Sequence, residues 1–371
     1  MNSYDLFSEA LYRKADALGI PLSGTFELTA RCNLDCKMCY IHRRANDASV
    51  KNRERTAAQW IELAEQCQKA GMLHLLLTGG EPFLRPDFRE IYEACRNLGL
   101  MVSLNSNASL ITDDTVAWLA ENRPTRMNLT LYGASPETYG ALCSNPDAFQ
   151  RAKHAVLALQ DAGILVKLNY SITPYNRDDA EAVYAFAKEH GIALQAVSYM
   201  FPPVRACENG PCSFTRATPE ESARDQIVYD RFRMTPERLT DYWKKILKAA
   251  DTENLQKPAR QNIACRAGSS NFWVTWDGQM RPCGMMTEPT FDLNRMEFPQ
   301  AWQAVRESRK QIFQPEECTA CSVREVCSQC AAVCQAETGS FEQLPQYACD
   351  RTKAYLELIR ENLREMKGTG T

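Results

Sequence analysis

The sequence lacks several features that mark common protein classes. It has no apolar run long enough to span a membrane and no signal-peptide core at its N-terminus, where charged residues alternate with Leu6, Phe7, Leu11 and Leu18. Its four histidines form no metal or catalytic-triad spacing. A formal charge of -3 and a pI near 6.0 leave no electrostatic footprint for nucleic acid or an anionic membrane. We therefore expect a cytoplasmic protein with no nucleic-acid or membrane partner.

Repeats of solenoid length and low-complexity tracts are also absent, so the chain should form ordinary globular domains. It has 371 residues, of which 44% are hydrophobic, enough for more than one buried core. We predict an N-terminal helix over residues 1–20, a first large domain over 21–234, a linker helix over 235–258 and a second domain over 259–371.

Alternating element types define the first large domain. From about residue 24, short apolar β-type runs alternate with amphipathic helical segments, which predicts parallel strands joined by crossover helices. The predicted strands cover residues 24–30, 73–78, 100–106, 126–132, 164–173 and 192–201. Six βα units are too few for a closed eight-fold barrel. We therefore predict an α/β fold, a partial (β/α)6 TIM-like barrel whose functional residues gather at the carboxyl ends of the strands.

Cysteine is abundant and clustered. Eleven of the sixteen cysteines fall in two patches, at residues 32–39 and 265–349. In a reducing cytosol such patches indicate metal binding rather than disulfides. The remaining single cysteines, Cys67, Cys95 and Cys143, are expected to be small buried hydrophobes, whereas Cys207 and Cys212 follow the sixth strand in a loop that should border the cavity.

The first patch follows the first predicted strand directly. Cys32, Cys36 and Cys39 have C-x3-C-x2-C spacing, which can present three thiolates to three irons of a cubane cluster and leave the fourth iron without a protein ligand. An open coordination position is where a metal site performs chemistry. The alternative is a zinc site with a distant fourth ligand, although nearby His42 has no paired Cys or His at knuckle spacing.

This loop resembles the signature of the radical S-adenosylmethionine (SAM) enzymes. "TGGEP" (78–82), after the second strand, resembles the family's motif for the methionine amino group, and "NSNASL" (105–110), after the third, resembles its Thr-Asn-Gly segment. The resemblance implies that SAM is bound by Met38, Gly79, Gly80, Glu81, Pro82, Ser106 and Asn107. It further implies that a reduced [4Fe-4S] cluster at the loop cleaves SAM to methionine and a 5′-deoxyadenosyl radical, which abstracts a substrate hydrogen.

The second patch resembles the SPASM extension of these enzymes. Its spacing is Cys265-x12-Gly278-x4-Cys283, followed by a cysteine-dense stretch and a final cysteine, and "WVTWDGQMRPC" fits a hairpin lead-in with a turn at Asp277-Gly278. The resemblance implies two auxiliary [4Fe-4S] clusters. One would be held by Cys318, Cys321, Cys327 and Cys349, and the other by Cys265 and Cys283 with Cys330, Cys334 or both. Zinc ribbons are the alternative, because C-x2-C pairs are common zinc ligands.

The combined motifs predict a radical SAM/SPASM enzyme that modifies a peptide or protein side chain, by a thioether or carbon–carbon cross-link or a related oxidation. Alternatives are a sulfatase-maturing enzyme, for which Gly284 after Cys283 replaces the Asp typical of that group, and a non-catalytic iron–sulfur carrier. Flavodoxin or ferredoxin is the expected electron donor. Because the piece before the barrel is too short for a leader-binding domain, we expect either that the barrel and SPASM surfaces recognise the substrate or that a separate leader-peptide-binding protein delivers it.

Overall fold

A computed structural model of the chain describes residues 3–41, 43–205, 215–251, 262–327 and 329–368. In chain order its strands are β1 Ser23–Glu27, β2 Arg31–Cys32, β3 Arg43–Arg44, β4 His74–Thr78, β5 Met101–Ser106, β6 Arg126–Thr130, β7 Val166–Ser171, β8 Ala193–Val197, β9 Asn271–Val274, β10 Gln279–Arg281 and β11 Phe291–Asp292. Its α-helices are α1 Ser3–Leu18, α2 Ala48–Lys51, α3 Ala57–Lys69, α4 Phe88–Asn97, α5 Asp113–Glu121, α6 Pro136–Cys143, α7 Ala148–Asp161, α8 Ala180–Glu189, α9 Pro219–Arg233, α10 Pro236–Ala250, α11 Phe298–Arg309, α12 Ala331–Thr338 and α13 Gln346–Gly368.

Six parallel strands lie side by side in the order in which they occur along the chain. β1 pairs with β4, and β4, β5, β6, β7 and β8 follow in turn, each pair in parallel register. At least one helix separates each strand from the next. This arrangement confirms the predicted α/β partial barrel, and it brings the carboxyl ends of all six strands to one edge.

Two helices begin at capping boxes that are visible in the sequence. Thr56 and Gln59 form a reciprocal capping box at the start of α3, and Thr218 and Glu221 form another at the start of α9. These caps satisfy backbone N–H groups that have no partner inside the helix.

None of the described helices is long and apolar enough to cross a membrane.

The strands are held by a continuous apolar core beneath the sheet. Fully or almost fully buried leucines alternate along the central strands, at Leu75, Leu77, Leu104, Leu129 and Leu168. On the β1 side, the Phe26 ring packs 5.1 Å from that of Trp60 on α3. Burial of each side chain of this size stabilises the fold by about 1.5–3 kcal/mol. The core therefore supports the strands whose carboxyl ends carry the site.

A hairpin from the cysteine-rich segment extends the same sheet. β9 pairs in parallel with β1, from Ser23 opposite Asn271 to Phe26 opposite Val274, and turns back through Gly278 into β10. Gly278 has φ +87°, a left-handed conformation that favours glycine. The predicted turn is therefore present, and the hairpin attaches the cysteine-rich segment directly to the first strand of the barrel.

Helix α11 is an element that we did not predict. It buries Phe298, Ala301, Trp302 and Val305, which have the i, i+3, i+4, i+7 spacing of an amphipathic helix. The Trp302 indole N–H donates to the Gly19 carbonyl oxygen at 2.7 Å. The apolar spacing of a helix is visible in "FPQAWQAV", but the flanking cysteines led us to predict a metal-binding segment there and no helix.

Phe272 on β9 should be a principal source of stability for this junction. Its ring lies 5.1 Å from that of Phe298 and 5.9 Å from that of Trp302, and it is fully buried. Phe272→Ala should lower the free energy of unfolding by about 3–5 kcal/mol, because it leaves a cavity among three aromatic rings. Urea unfolding would measure this. Leu165→Ala, at a side chain that is 64% exposed, should change the value by less than about 0.5 kcal/mol; equal effects would contradict this account of the junction.

Candidate cluster and cofactor site

A buried arginine holds the start of the three-cysteine loop in place. Cys32 ends β2, and Cys36 and Cys39 lie in the loop that follows. The Arg31 guanidinium donates to both Glu54 carboxylate oxygens at 2.8 and 3.0 Å and to the Ala45 carbonyl oxygen at 2.9 Å. Because these donors are charged and the pair is over nine-tenths buried, the root of the loop is held firmly.

The far side of the loop rests on the end of α6. The Asp35 and Lys37 N–H groups donate to the carbonyl oxygens of Cys143 and Leu142 at 3.1 and 3.0 Å. The buried Cys36 thiol is hydrogen-bonded to the Cys143 thiol. This hydrogen bond, together with burial, raises the pKa of Cys36. Cys143 is buried, as expected for a single cysteine, but its contact with the loop was not predicted.

The glycine motif packs against the same loop. The Gly80 N–H donates to the Thr29 carbonyl oxygen at 2.7 Å, and the Glu81 N–H donates to the Arg31 carbonyl oxygen at 2.9 Å. A Cβ atom on Gly80 would lie 2.3 Å from the Arg31 carbonyl oxygen, and one on Gly79 would lie 2.5 Å from the Thr29 carbonyl oxygen. Both positions therefore require glycine, because the two backbone segments approach too closely for a side chain.

The Glu81 carboxylate joins the glycine motif to the turn after β5. It is fully buried and accepts hydrogen bonds from the Ser106 hydroxyl at 3.0 Å, the Asn107 N–H at 2.8 Å and the Phe83 N–H at 3.1 Å. Burial raises the pKa of Glu81 to about 7, although these hydrogen bonds act in the opposite direction. Near neutral pH, a nearby positive charge strongly increases the ionised fraction of a carboxyl group with this pKa.

Asn107 connects this network to the cysteine loop. Its side-chain amide N–H donates to the side-chain Oδ1 of Asn33 at 3.0 Å and lies 3.5 Å from the Cys32 sulfur. Burial, followed by the charge of Glu81, raises the pKa of Cys32. The fold thus brings together residues predicted from three separate motifs. Ala108, directly after Asn107, has φ +65°, which is uncommon for alanine and indicates a constrained turn.

The other predicted residues of the first site also lie nearby. Met38 is partly buried against the main core, and Pro82 begins a short 3-10 helix, Pro82–Leu84, directly after Glu81. Within the described residues, no group of three or more His, Cys, Asp or Glu side chains is arranged to hold a single metal ion. His42, Cys207 and Cys212 lie outside the described residues.

A second cysteine-lined site lies in the C-terminal segment. A cavity of about 510 Å³ is bordered by Cys265, Cys283, Cys318, Cys321, Cys327, Cys330 and Cys349. Burial raises the pKa of Cys283 to about 11, with smaller contributions from Cys330 and Cys265. Burial likewise raises the pKa of Cys318 to about 11, with contributions from Cys349, Cys321 and Cys327. By these mutual effects the thiols fall into two groups. One contains Cys265, Cys283 and Cys330, and the other contains Cys318, Cys321, Cys327 and Cys349.

Cys334 behaves differently from the other clustered cysteines. It is fully buried on α12, does not border the cavity, and accepts a hydrogen bond from the Gln329 side-chain amide at 2.8 Å. Burial raises its pKa to about 12. Between the two cysteines that the sequence left as alternatives, Cys330 is therefore the one that faces the cavity.

A buried ion pair in the barrel interior was missed by the sequence analysis. Arg205 donates to both Glu27 carboxylate oxygens at 2.6 and 2.9 Å and to the Gly284 carbonyl oxygen at 3.3 Å. The Trp273 indole N–H also donates to Glu27, at 3.2 Å. Because Arg205 and Glu27 are 178 positions apart, no local pattern signals the pair. It joins β1 to the backbone immediately after Cys283.

Residues 26–187 match the family model described as the Radical SAM superfamily. These residues form a radical SAM domain. The protein is accordingly an enzyme, and the domain implies a [4Fe-4S] cluster and SAM. The cysteine-rich C-terminal region fits the same assignment.

Curated relatives cover most of the chain at low identity. An AdoMet-dependent heme synthase of Methanosarcina barkeri is 26% identical over 341 residues, which is 88% of this chain and 95% of the relative. A probable GTP 3′,8-cyclase of Methanothermobacter thermautotrophicus is 27% identical over 277 residues, 73% of this chain and 87% of the relative. The similarity thus extends to relatives whose names indicate different substrates.

Solved structures resemble the whole described fold. SuiB of Streptococcus suis bound to S-adenosylmethionine has a TM-score of 0.66 at 18% identity, covering 92% of this chain and 80% of that one. Native anSMEcpe with bound AdoMet has a TM-score of 0.64 at 18% identity, covering 93% and 99%. At this identity the likeness establishes the partial-barrel fold.

The contact of Gly80 with Arg31 can be tested directly. Gly80→Ala should weaken SAM binding at least about tenfold, equivalent to about 1.4 kcal/mol, because the new Cβ displaces the root of the cysteine loop. Anaerobic calorimetry with SAM would measure the affinity. Gly140→Ala on α6, whose Cβ would lie 3.7 Å from its nearest neighbour, should bind SAM as the wild type does. Unchanged affinity in Gly80→Ala would contradict the assigned role of this contact.

Proposed function

We propose that this enzyme cleaves SAM reductively at a cluster held by Cys32, Cys36 and Cys39 and abstracts a hydrogen atom from a peptide or protein side chain. The observation that carries this proposal is the packing of the Gly79–Gly80 segment on the root of the cysteine loop, with the 2.7 Å hydrogen bond from the Gly80 N–H to the Thr29 carbonyl oxygen. When bound, the cluster and SAM supply a 5′-deoxyadenosyl radical.

The residues of the site fit these groups in chemical type. A side chain at position 79 or 80 would collide with the Thr29 or Arg31 carbonyl oxygen, so glycine keeps the backbone there bare, and bare backbone can approach an ammonium group closely. Glu81 supplies a negative charge beside it, and Ser106 and Asn107 are oriented by the Glu81 carboxylate. Met38 packs at the edge of the core beside the loop. The protein would thereby position a reactive cofactor against this buried carboxylate network.

The C-terminal segment would act as a SPASM domain with two auxiliary [4Fe-4S] clusters. Four thiols, from Cys318, Cys321, Cys327 and Cys349, would hold one cluster, and charge effects on Cys318 from the other three support this grouping. Cys265, Cys283 and Cys330 would hold the other, with Cys334 behind them. When bound, such clusters would supply an acceptor for the electron released when a substrate radical is oxidised to product. Flavodoxin or ferredoxin would supply the electron for SAM cleavage.

Support for a peptide substrate comes from the whole-chain structural likeness to SuiB, which has been solved with its precursor peptide SuiA. A separate leader-peptide-binding protein would deliver the substrate. Sulfatase maturation is disfavoured, because a Cβ at Gly284 would lie 2.6 Å from the Trp273 ring, so an acidic side chain there requires that ring to move. The second candidate substrate is a heme precursor. It is favoured by the similarity of most of the chain to AdoMet-dependent heme synthases.

The function is tested by anaerobic reconstitution followed by addition of SAM and dithionite. We expect 5′-deoxyadenosine from the wild type and none from Cys36→Ala, which lacks one of three thiolate ligands. Cys67→Ala, at a buried cysteine on α3, is the matched control and should form product normally. Absence of 5′-deoxyadenosine from fully loaded wild type would favour a non-catalytic iron–sulfur carrier.

The substrate class can be separated in the same assay. Candidate precursor peptides encoded near the gene and metalloporphyrin heme precursors would be supplied in deuterated form. Deuterium transfer into 5′-deoxyadenosine from a peptide supports the first candidate. Transfer from a heme precursor alone would overturn the peptide assignment while leaving SAM cleavage intact.

SAM binding should depend on pH through Glu81. The pKa of this carboxyl group is about 7 in the described structure, and the cationic cofactor favours its ionised form. Affinity should therefore fall as pH decreases through 7 and should be about tenfold weaker at pH 6 than at pH 8. Glu81→Gln should remove this dependence in calorimetric titrations. A pH-independent affinity in the wild type would contradict the role of Glu81.

A further inference from the structure

One guanidinium group in the C-terminal segment has a buried nitrogen without a hydrogen-bond partner. Arg324 borders the cavity of about 510 Å³ that the clustered cysteines line. Its Nη1 is buried and has no hydrogen-bond partner in the described part of the chain. The buried guanidinium groups of Arg31 and Arg205 differ, because each is paired with a glutamate carboxylate. A buried donor left unpaired costs about 1–3 kcal/mol, and more in a charged group, so we expect an acceptor beside Arg324.

The backbone places Arg324 midway between two predicted ligands of one cluster. It lies three positions after Cys321 and three before Cys327. The Arg324 N–H donates to the Cys321 carbonyl oxygen at 3.2 Å, and the Cys327 N–H donates to the Arg324 carbonyl oxygen at 3.3 Å. This tight turn keeps the base of the Arg324 side chain close to both cysteines, which belong to the group of four thiols.

The carboxylates at the cavity do not act as the acceptor. Glu317 and Glu325 border the same cavity, yet neither accepts a hydrogen bond from the Arg324 Nη1. A cluster held by four thiolates would bring sulfur acceptors and a net negative charge into this cavity. A guanidinium group is always charged and presents five N–H donors in a fixed plane, so it matches such an occupant in both charge and hydrogen bonding.

We propose that Arg324 donates hydrogen bonds to the cluster of Cys318, Cys321, Cys327 and Cys349 and makes its reduction potential less negative. Because this rests on the proposed function, the electron concerned is the one released when the substrate radical is oxidised. Reduction adds one electron, and therefore one negative charge, which a fixed cation and its N–H donors stabilise. The cluster beside Arg324 is then the better electron acceptor of the two auxiliary clusters.

The test is a potentiometric titration followed by electron paramagnetic resonance on the full-length chain, with Cys32, Cys36 and Cys39 replaced by alanine so that only the auxiliary clusters contribute. In Arg324→Met, one cluster should be harder to reduce. Its ratio of reduced to oxidised form at a fixed potential should fall about tenfold, which corresponds to about 59 mV for one electron. Arg324→Lys keeps the charge but loses the planar donors, so its shift should be smaller. Arg295→Met, at a side chain that is 86% exposed, should match the parent chain.

A further substitution identifies the cluster that responds. Cys283→Ala removes a predicted ligand of the other auxiliary cluster, and the shift caused by Arg324→Met should persist in that background. A shift that disappears with Cys283→Ala would place Arg324 beside the other cluster and overturn the assignment. Unchanged potentials for both clusters in Arg324→Met, at the iron content of the parent chain, would exclude the contact altogether.

Iron analysis separates the remaining outcomes. The parent chain should hold about eight irons, four for each auxiliary cluster. Loss of about four irons from both Arg324 variants, with Arg295→Met intact, would make Arg324 a structural residue of the turn and overturn its role as a donor. If the parent chain itself holds no auxiliary cluster, the two-cluster assignment in the proposed function is wrong, and the iron count shows this before any potential is measured.

Discussion

The close approach between two backbone segments, Gly80 against Arg31, determines where the rest of the site can lie. It brings the carboxyl end of β4 onto the root of the three-cysteine loop, and no residue with a side chain fits at that point. The loop is in turn held by the buried Arg31–Glu54 pair. Both segments follow the adjacent, paired strands β1 and β4, so the fold itself brings them together.

The buried Glu81 carboxylate connects this contact to the neighbouring motifs. Glu81 follows the glycines directly, and its burial makes the charge costly unless a cation is near. Its hydrogen bonds orient Ser106, at the end of the next strand, and Asn107, directly after it, and Asn107 reaches back to Cys32. Three motifs that are distant in sequence are thereby joined through one carboxylate.

The sequence predicted those parts of the fold that depend on local patterns. Alternating strands and helices, capping boxes and turn glycines each leave a short-range signal, and the cysteine and glycine motifs follow the ends of the first strands. The contacts between distant segments could not be predicted in this way. Glu27 pairs with Arg205 across 178 positions, and Cys143 meets Cys36 only because α6 ends against the loop. Helix α11 was missed although its apolar spacing is regular, because metal-type cysteine spacing surrounds it.

Mössbauer spectroscopy on ⁵⁷Fe-labelled enzyme tests the central claim most directly. In a variant whose seven cavity-lining cysteines are replaced, the cluster of Cys32, Cys36 and Cys39 would be observed alone. The account predicts one cubane in which a single iron of the four changes its isomer shift and quadrupole splitting when SAM is added. Four irons that ignore SAM, or a loop that holds zinc and no iron, would contradict it.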